Sequence, residues 1–349
     1  MNNEVLYLII PYFNFNNSIF SQKNLDLFIS NYSKKDNLRI VICEGWYDSQ
    51  LPDYSDKIYK HLKFKVKNII WVKENLINLA IKQLPAEAEY IAWSDRDIYF
   101  LNPAWVERSI ELLKEKDIIQ PWTEIIYTNI NNELELIPRK THFHFCSRSA
   151  LYSKATEGTA ADIPTGGCST GQIWAINKKF YNKIGKINDI EIVGGADSNI
   201  AHFCVLREEE YFNQIERKTS PKTLKNWEEY KEKFKDVSYG YVHGAIVHYW
   251  HGHLENRSYS NRHNILIQGE YNPEEDIAYD ENGVIYLTEK GKRFENQIKD
   301  YFTIRSVDEN MSPKCTSIPF FKAYEIRQCL IPRNLKGMHR KTIRKMTEE

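Results

Sequence analysis

Asp95, Arg96 and Asp97 close the apolar run in YIAWSDRDIYF, residues 90–100. In an extended chain both carboxylates point to the same side. Two acids that close repel each other unless a cation lies between or beside them. The plainer reading is a solvated turn next to a helix cap. A second concentration of chemistry is YVHGAIVHYWHGHLENRSYSNRHNIL, residues 241–266, which holds His243, His248, His251, His253 and His263, half of the ten histidines, beside Arg257 and Arg262. A single histidine is ordinarily a packed or hydrogen-bonded side chain, whereas several near one another suit a metal or phosphate site. His248 and His251 reach one cation if the chain turns sharply at Trp250-His251. A third candidate is Asp197 in EIVGGADSNIAHF, residues 191–203. Two glycines bring it to what reads as a helix start, where it either faces a ligand or caps the helix.

These residues are spaced along a regular alternation of elements. Val5 to Ile10 reads as a strand that stops at Pro11, followed by the Asn-rich loop PYFNFNNS. Gln22 to Tyr32 reads as a helix with Leu25, Phe28 and Ile29 on one face, and Leu38 to Cys43 as a strand ended by Glu44-Gly45. Phe64 to Trp71 carries a third strand, Asn75 to Gln83 a helix, Tyr90 to Trp93 a strand and Pro103 to Lys114 a helix, before Ile118-Ile119 opens another strand. This short rhythm predicts an α/β fold: a mostly parallel central sheet flanked by helices on both faces. Such sheets hold ligands at the carboxyl ends of their strands, so Pro11 to Asn14, Glu44-Gly45 and Asp95 to Asp97 should meet in one crevice. Neither G-x-G-x-x-G after the first strand nor G-x-x-x-x-G-K-[ST] anywhere is present, so the usual dinucleotide and P-loop signatures are missing.

Beyond residue 121 the rhythm changes. Residues 128–165 are irregular and polar. In PTGGCSTGQIWAINKKFYNKIG, residues 164–185, Gly166, Gly167 and Gly171 permit close backbone approach to a ligand, Trp174-Ala175-Ile176 reads as a strand and Phe180 to Ile184 as a short helix. The Glu- and Lys-rich residues 207–236 are expected as solvated surface helix and linker. KRFENQIKDYF reads as a helix that opens a mainly helical C-terminal extension, and the cluster Arg333, Lys336, Arg340, Lys341, Arg344 and Lys345 as a solvated basic tail or a contact with an anionic surface.

Composition narrows the class. With 47 basic and 47 acidic side chains, bulk charge gives no case for a nucleic-acid partner. Cys43, Cys146, Cys168, Cys204, Cys315 and Cys329 are scattered and form no C-x-x-C pair, so reduced thiols and no zinc knuckle are expected. The apolar run VLYLII near the start is too short for a signal peptide or a transmembrane segment, and a cytoplasmic enzyme is the expectation.

The order of these segments resembles the nucleotide-sugar-dependent glycosyltransferases of the GT-A fold. The likeness runs over roughly residues 5–265, from Pro11-Tyr12-Phe13-Asn14 through KENLINLA and on to Asp95-Arg96-Asp97, which looks like the DxD motif of that fold. Within the family, VGGADSNIA and HYWHGHLENR resemble loops of the beta-1,4-galactosyltransferase and polypeptide N-acetylgalactosaminyltransferase group, although Ala196 stands where an acid often precedes the aspartate. The resemblance implies a GT-A-like catalytic domain over residues 1–290 and a C-terminal extension over residues 291–349. It implies a metal held by Asp97, His248 and His251, with His253 as substitute for His248. A mixed Asp/His set favours Mn²⁺, with Mg²⁺ as the second choice. Asp95 would then hold the ribose or a metal-bound water. Pro11, Tyr12, Asn14 and Glu44 would surround the base, with uracil favoured by the carboxylate. Asn75, Asn78 and Arg96 would join the nucleotide-sugar site, Gly171 and Trp174 would line the sugar, and Arg257 and Arg262 would support the diphosphate. Asp197 would serve as general base toward a hydroxyl of a glycan or glycoprotein acceptor, which fits transfer from a UDP-sugar with inversion. A nucleotidyltransferase or nucleotide-sugar hydrolase using the same metal-diphosphate chemistry, a retaining glycosyltransferase and a non-catalytic carbohydrate-binding protein remain the alternatives.

Overall fold

The computed structural model describes residues 4–128, 147–152, 168–205, 219–252, 254–257 and 261–305. Gly166, Gly167, Cys146, His253 and the basic tail lie outside the described residues. The chain opens with β1 (Leu6–Phe13), α1 (Ile19–Tyr32), β2 (Leu38–Trp46), β3 (Lys60–Lys65), α2 (Lys73–Lys82), β4 (Tyr90–Ser94), β5 (Ile98–Phe100), α3 (Trp105–Leu113), β6 (Ile118–Gln120) and β7 (Glu124–Tyr127). It continues with β8 (Ser147–Ser149), β9 (Cys168–Ser169), β10 (Ile173–Asn177), α4 (Lys178–Ile184), α5 (Ala196–Val205), α6 (Pro221–Glu232), β11 (Tyr239–Tyr241) and β12 (Ala245–His248). After a 3-10 turn (Leu254–Arg257) follow α7 (Asn264–Gln268), α8 (Pro273–Asp276), the β13 (Ile277–Tyr279) and β14 (Ile285–Leu287) hairpin, a 3-10 turn (Gly291–Phe294) and α9 (Glu295–Arg305).

The fold is α/β. Seven strands form the central sheet in the order β11-β6-β10-β4-β1-β2-β3. Four of its pairings are parallel and the two made by β10 are antiparallel. Side-chain alternation places Leu8, Ile10 and Ile42 in one apolar layer and Ile9, Val41 and Ile91 in the other. Helices α1 and α3 supply the first layer, and α2, α4, α5, α6 and α9 the second. Each fully buried Leu or Ile in these layers contributes about 1.5–3 kcal/mol relative to an exposed one. A smaller sheet, β5-β12-β7-β8-β9, stands beside the first.

Three elements run differently from the sequence expectation. β1 passes through Pro11 to Phe13, because its pairing with β4 ends at Ile9 and the missing proline N–H breaks no bond there. β2 passes through Glu44-Gly45 to Trp46, and Gly45 leaves room for the methyls of Leu76 and Val66, which an added Cβ would meet at 3.2 and 3.3 Å. The third strand lies earlier than Phe64 to Trp71, at the Lys-rich edge β3, where exposed lysines discourage pairing with another chain. Residues 221–232 are also more than a solvated surface: α6 buries Thr223, Trp227 and Tyr230, and the Trp227 Nε1–H donates to Glu191 Oε1 at 2.7 Å. No helix of the described residues is long and apolar enough to cross a membrane.

Candidate active site

The chain leaves the central sheet at Ser94, the end of β4, and enters the smaller sheet at Ile98, the start of β5. Asp95, Arg96 and Asp97 are therefore the corner between two sheets. The antiparallel register of β12 on β5 sets His248 opposite Ile98, and Tyr249 N–H donates to the Asp97 carbonyl at 2.7 Å. The chain then turns, with Gly252 at φ 110°, a left-handed conformation suited to glycine. His251 folds back so that its Nε2 lies 2.9 Å from Asp97 Oδ2, while His248 Nε2 lies 3.6 Å from Asp97 Oδ1.

One ligand atom from each of Asp97, His248 and His251 lies within 4.8 Å of the others. Ligands bound at about 2.1 Å in cis positions sit about 3 Å apart, close to the spacing seen here. Asp97 Oδ1 is buried without a hydrogen-bond partner, as are Arg96 Nε and Gln172 Oε1 in the same region. Buried polar atoms left unpaired are uncommon and call for a missing partner. The donor set, one carboxylate oxygen and two imidazole nitrogens, fits a divalent first-row cation better than a purely oxygen-seeking one.

The electrostatics agree with that fit. Burial alone would raise the Asp97 carboxyl, but the facing His251 and His248, with Arg96, outweigh it and hold the carboxyl well below the usual range. Burial lowers His248, and burial together with Arg257 pushes His251 down to about 3. An ionised carboxylate and neutral rings are the forms that bind a cation. Arg257, at the end of the 3-10 turn, places Nη2 2.9 Å from His251 Nε2.

Asp95 faces another way. Its backbone N–H donates to Gln172 O at 2.7 Å, continuing the β4–β10 ladder, and its carboxylate is paired with Lys73 Nζ at 2.6 Å. Lys73 is the first residue of α2 and is only 9 % exposed, which makes this a partly desolvated ion pair. Next to it, Glu74 is buried and accepts the Trp71 Nε1–H at 3.0 Å; burial pushes its carboxyl up to about 8. The sequence offers little sign of either role, because Lys and Glu in a first helical turn read as solvated.

Asp197 occupies the second position of α5, after the Gly194-Gly195 turn. It is not the residue before the helix, so the simple capping reading does not describe it. Its Oδ1 accepts the Ser198 N–H at 2.8 Å, and its Oδ2 lies 3.1 Å from where a Cβ on Gly171 would sit. Thr170 Oγ1 and Ser198 Oγ join the two loops at 3.0 Å. Gly194 (φ +82°) packs its bare backbone on the Trp71 ring, which an added Cβ would meet at 2.8 Å.

The remaining candidates divide. Tyr12 follows Pro11 at the end of β1, with the Arg96 guanidinium 5.3 Å over its ring. Asn14 spends its amide on Ser18, accepting from its N–H and donating to its carbonyl. Glu44 is buried, with Oε1 accepting the Leu51 N–H at 2.6 Å and Oε2 3.2 Å from His61 Nε2, so it ties down the loop after β2. Asn75 and Asn78 bond Asp189, Ile187, Gly283 and Ile285, holding α2 to the 187–189 segment and, through Asn75, to the C-terminal hairpin. Trp174 is 1 % exposed in the core, donating to Thr170 O. Arg262 does not accompany Arg257; it lies over Trp71 and against Tyr301.

No protein-family model and no curated protein matches the chain. Among solved structures the chain is similar to S. aureus TarS, at 15% identity over 56% of this chain and 54% of that one, with a TM-score of 0.34. It is similar to Drosophila beta-1,4-galactosyltransferase 7, solved with manganese, UDP-Gal and xylobiose, at 11% identity over 57% and 59% of the two chains and a TM-score of 0.30. A third similarity is to Mycobacterium tuberculosis glucosyl-3-phosphoglycerate synthase with Mn²⁺, UDP and phosphoglyceric acid, at 8% identity over 70% of both chains and a TM-score of 0.30. The first two alignments span little more than half of those chains. At these values the function has to be argued from the side chains.

Proposed function

We propose that the chain is a metal-dependent glycosyltransferase that moves a hexose or N-acetylhexosamine from a UDP-sugar to a hydroxyl of a glycan or protein acceptor, with inversion. The observation that carries the reading is the meeting of Asp97 with His248 and His251, segments some 150 residues apart in sequence, at the carboxyl end of β4. Residues 1–290 would form the catalytic domain and residues 291–349 an extension to it. A divalent cation, Mn²⁺ by the donor set, would supply Lewis-acid stabilisation of a diphosphate leaving group. Asp97, His248 and His251 would hold it. Arg257, already beside His251, would meet the charge that grows on the diphosphate as the sugar departs. Lys73 keeps Asp95 fixed at the corner, where Asp95 would take a donor hydroxyl or a bound water. Asp197 would orient the acceptor hydroxyl and take its proton as the nucleophile attacks the anomeric carbon. Among the described residues, the missing side chain of Gly171 leaves Asp197 Oδ2 clear on that side.

A panel of nucleotide sugars with Mn²⁺, read by release of nucleotide, tests the proposal. Release of UDP from one UDP-sugar, dependent on Asp97, is the expected result. Exclusive turnover of a GDP- or CMP-sugar would overturn the choice of donor, and release of pyrophosphate from a nucleoside triphosphate with a sugar phosphate would replace glycosyl transfer by nucleotidyl transfer.

A further inference from the structure

The segment Thr170-Gly171-Gln172 joins the two halves of the site. At one end, Thr170 Oγ1 meets Ser198 Oγ at 3.0 Å, and Thr170 O accepts the Trp174 Nε1–H at 2.8 Å. At the other end, Gln172 O accepts the Asp95 N–H at 2.7 Å, at the corner that carries Asp97. Gly171 lies between them, with Asp197 Oδ2 3.1 Å from where its Cβ would be. Gln172 therefore stands between the proposed metal ligands and the proposed base.

Two features set Gln172 apart. Its backbone is left-handed, with φ 82°, a conformation that glycine adopts freely and a residue with a Cβ adopts only under strain. Its side chain is 9 % exposed, and its Oε1 is buried and, among the described residues, without a hydrogen-bond partner. A glycine at this position would relax the backbone and leave no orphaned polar atom. Local strain and an unsatisfied buried amide at one position are features of a binding residue whose partner is a ligand. Asp97 Oδ1, at the proposed metal position, is buried and unpartnered in the same way. An amide both donates and accepts, which matches the hydroxyl and acetamido groups of a sugar ring.

We propose that Gln172 is a specificity-determining residue for the donor, its amide hydrogen-bonding a polar ring substituent of the transferred sugar, a hydroxyl or an acetamido group. The assignment rests on the glycosyltransferase reading. In that reading the diphosphate lies at Asp97, His248 and His251, and the acceptor hydroxyl at Asp197. The transferred sugar then spans the interval that residues 170–172 border. Gly171 leaves Asp197 clear on its side, and Gln172 supplies the polar group that reads the ring.

The test compares wild type, Gln172→Met and Gln172→Gly by thermal unfolding and by calorimetric titration with Mn²⁺. The ligands are UDP, UDP-glucose, UDP-galactose, their N-acetyl forms and the deoxy analogues of whichever binds best. Methionine keeps the length of the side chain and removes the amide; glycine also releases the backbone. Gln172→Met should melt at or above the wild-type temperature, because the amide it removes has no partner in the ligand-free fold. Both variants should bind UDP as the wild type does and the preferred UDP-sugar about three- to tenfold more weakly, the worth of one neutral hydrogen bond. That difference should vanish with the analogue lacking the contacted substituent. A lower melting temperature for Gln172→Met shows that the amide is bonded within the protein and refutes the proposal. Weaker binding of UDP itself to both variants assigns the amide to the nucleotide and refutes the sugar contact. Failure of UDP to bind the wild type overturns the glycosyltransferase reading, and the sugar contact with it. Normal UDP binding beside equal UDP-sugar affinity in all three proteins overturns the contact alone.

Discussion

Replacing Arg257 by Met should strengthen the binding of Mn²⁺ alone while weakening the binding of UDP in its presence. The guanidinium Nη2 lies 2.9 Å from His251 Nε2, the atom offered to the metal. An ion bonded to that nitrogen at about 2.1 Å would lie at most about 5 Å from Nη2. A +2 and a +1 charge at that separation repel by about 1.7 kcal/mol even in a water-like dielectric, and by several times more in the interior. The expected gain in Mn²⁺ affinity is therefore about tenfold or more. Proton competition does not hide it, since burial is the largest cause of the lowering of His251 to about 3 and persists without Arg257. A diphosphate reverses the sign, because Arg257 then faces an anion. Calorimetric or spin-resonance titration of Mn²⁺ with and without UDP measures both effects, and Asp97→Asn, which removes the anionic ligand, should weaken Mn²⁺ in either state. Weaker binding of Mn²⁺ alone to Arg257→Met would show that Arg257 supports His251 as a ligand rather than opposing the cation, and the division of labour drawn above would fail.

Two further outcomes follow from other parts of the site. Asp197→Asn keeps an oxygen for the Ser198 N–H, so the turn should stay folded and Mn²⁺–UDP binding should persist, while transfer falls by about 10²- to 10⁴-fold; near-wild-type transfer measured with the acceptor in hand would leave Asp197 a structural residue. Glu74 has a folded-state pKa of about 8, above its ordinary 4.5, so its stabilising contribution is whole below pH 4.5 and is lost as pH rises through 8. Urea midpoints taken at pH 5 and pH 9 should fall with pH in the wild type, and Glu74→Gln should flatten part of that slope; an unchanged slope would place the buried proton elsewhere.

The alternation of strands and helices could be read from the chain because both faces of the central sheet are buried, which leaves uninterrupted apolar runs such as LYLII and IVIC. Its boundaries could not. Pro11 and Gly45 are strand breakers by local rule, yet one lies past the end of a neighbouring strand and the other makes room for Leu76. β3 hid for the opposite reason: an edge strand rich in lysine carries no apolar signal. Trp227 and Tyr230 lie in a segment dominated by Glu and Lys, and only the packing of α6 on α5 and Glu191 reveals them as core.

The site was legible where chemistry restricts residue type and obscure where only a fold can supply the partner. A cation needs carboxylate and imidazole, so Asp95, Asp97 and the histidines of residues 243–263 stand out in the sequence, and the GT-A resemblance implies Asp97, His248 and His251 among them. Lys73 looks like any solvated lysine until Asp95, 22 residues on, is seen 2.6 Å away. Glu44, Asn75 and Asn78 are implied at the nucleotide site by the resemblance, and in the fold their side chains hydrogen-bond within the protein, Glu44 to Leu51 and Asn75 and Asn78 to Asp189 and Ile187. Counting charges then separates the acids that remain. Asp95 is neutralised by Lys73, Asp97 faces two imidazoles and Arg96, and Glu74 carries a proton at pH 7. Among the described residues no cationic side chain hydrogen-bonds to Asp197, whose partner is a backbone N–H and whose other oxygen is left clear on the side of Gly171 by the missing side chain there. A general base must be ionised and not already held by a cation or set against the metal ligands, and of the four acids Asp197 is the one that the proposed function leaves for that role.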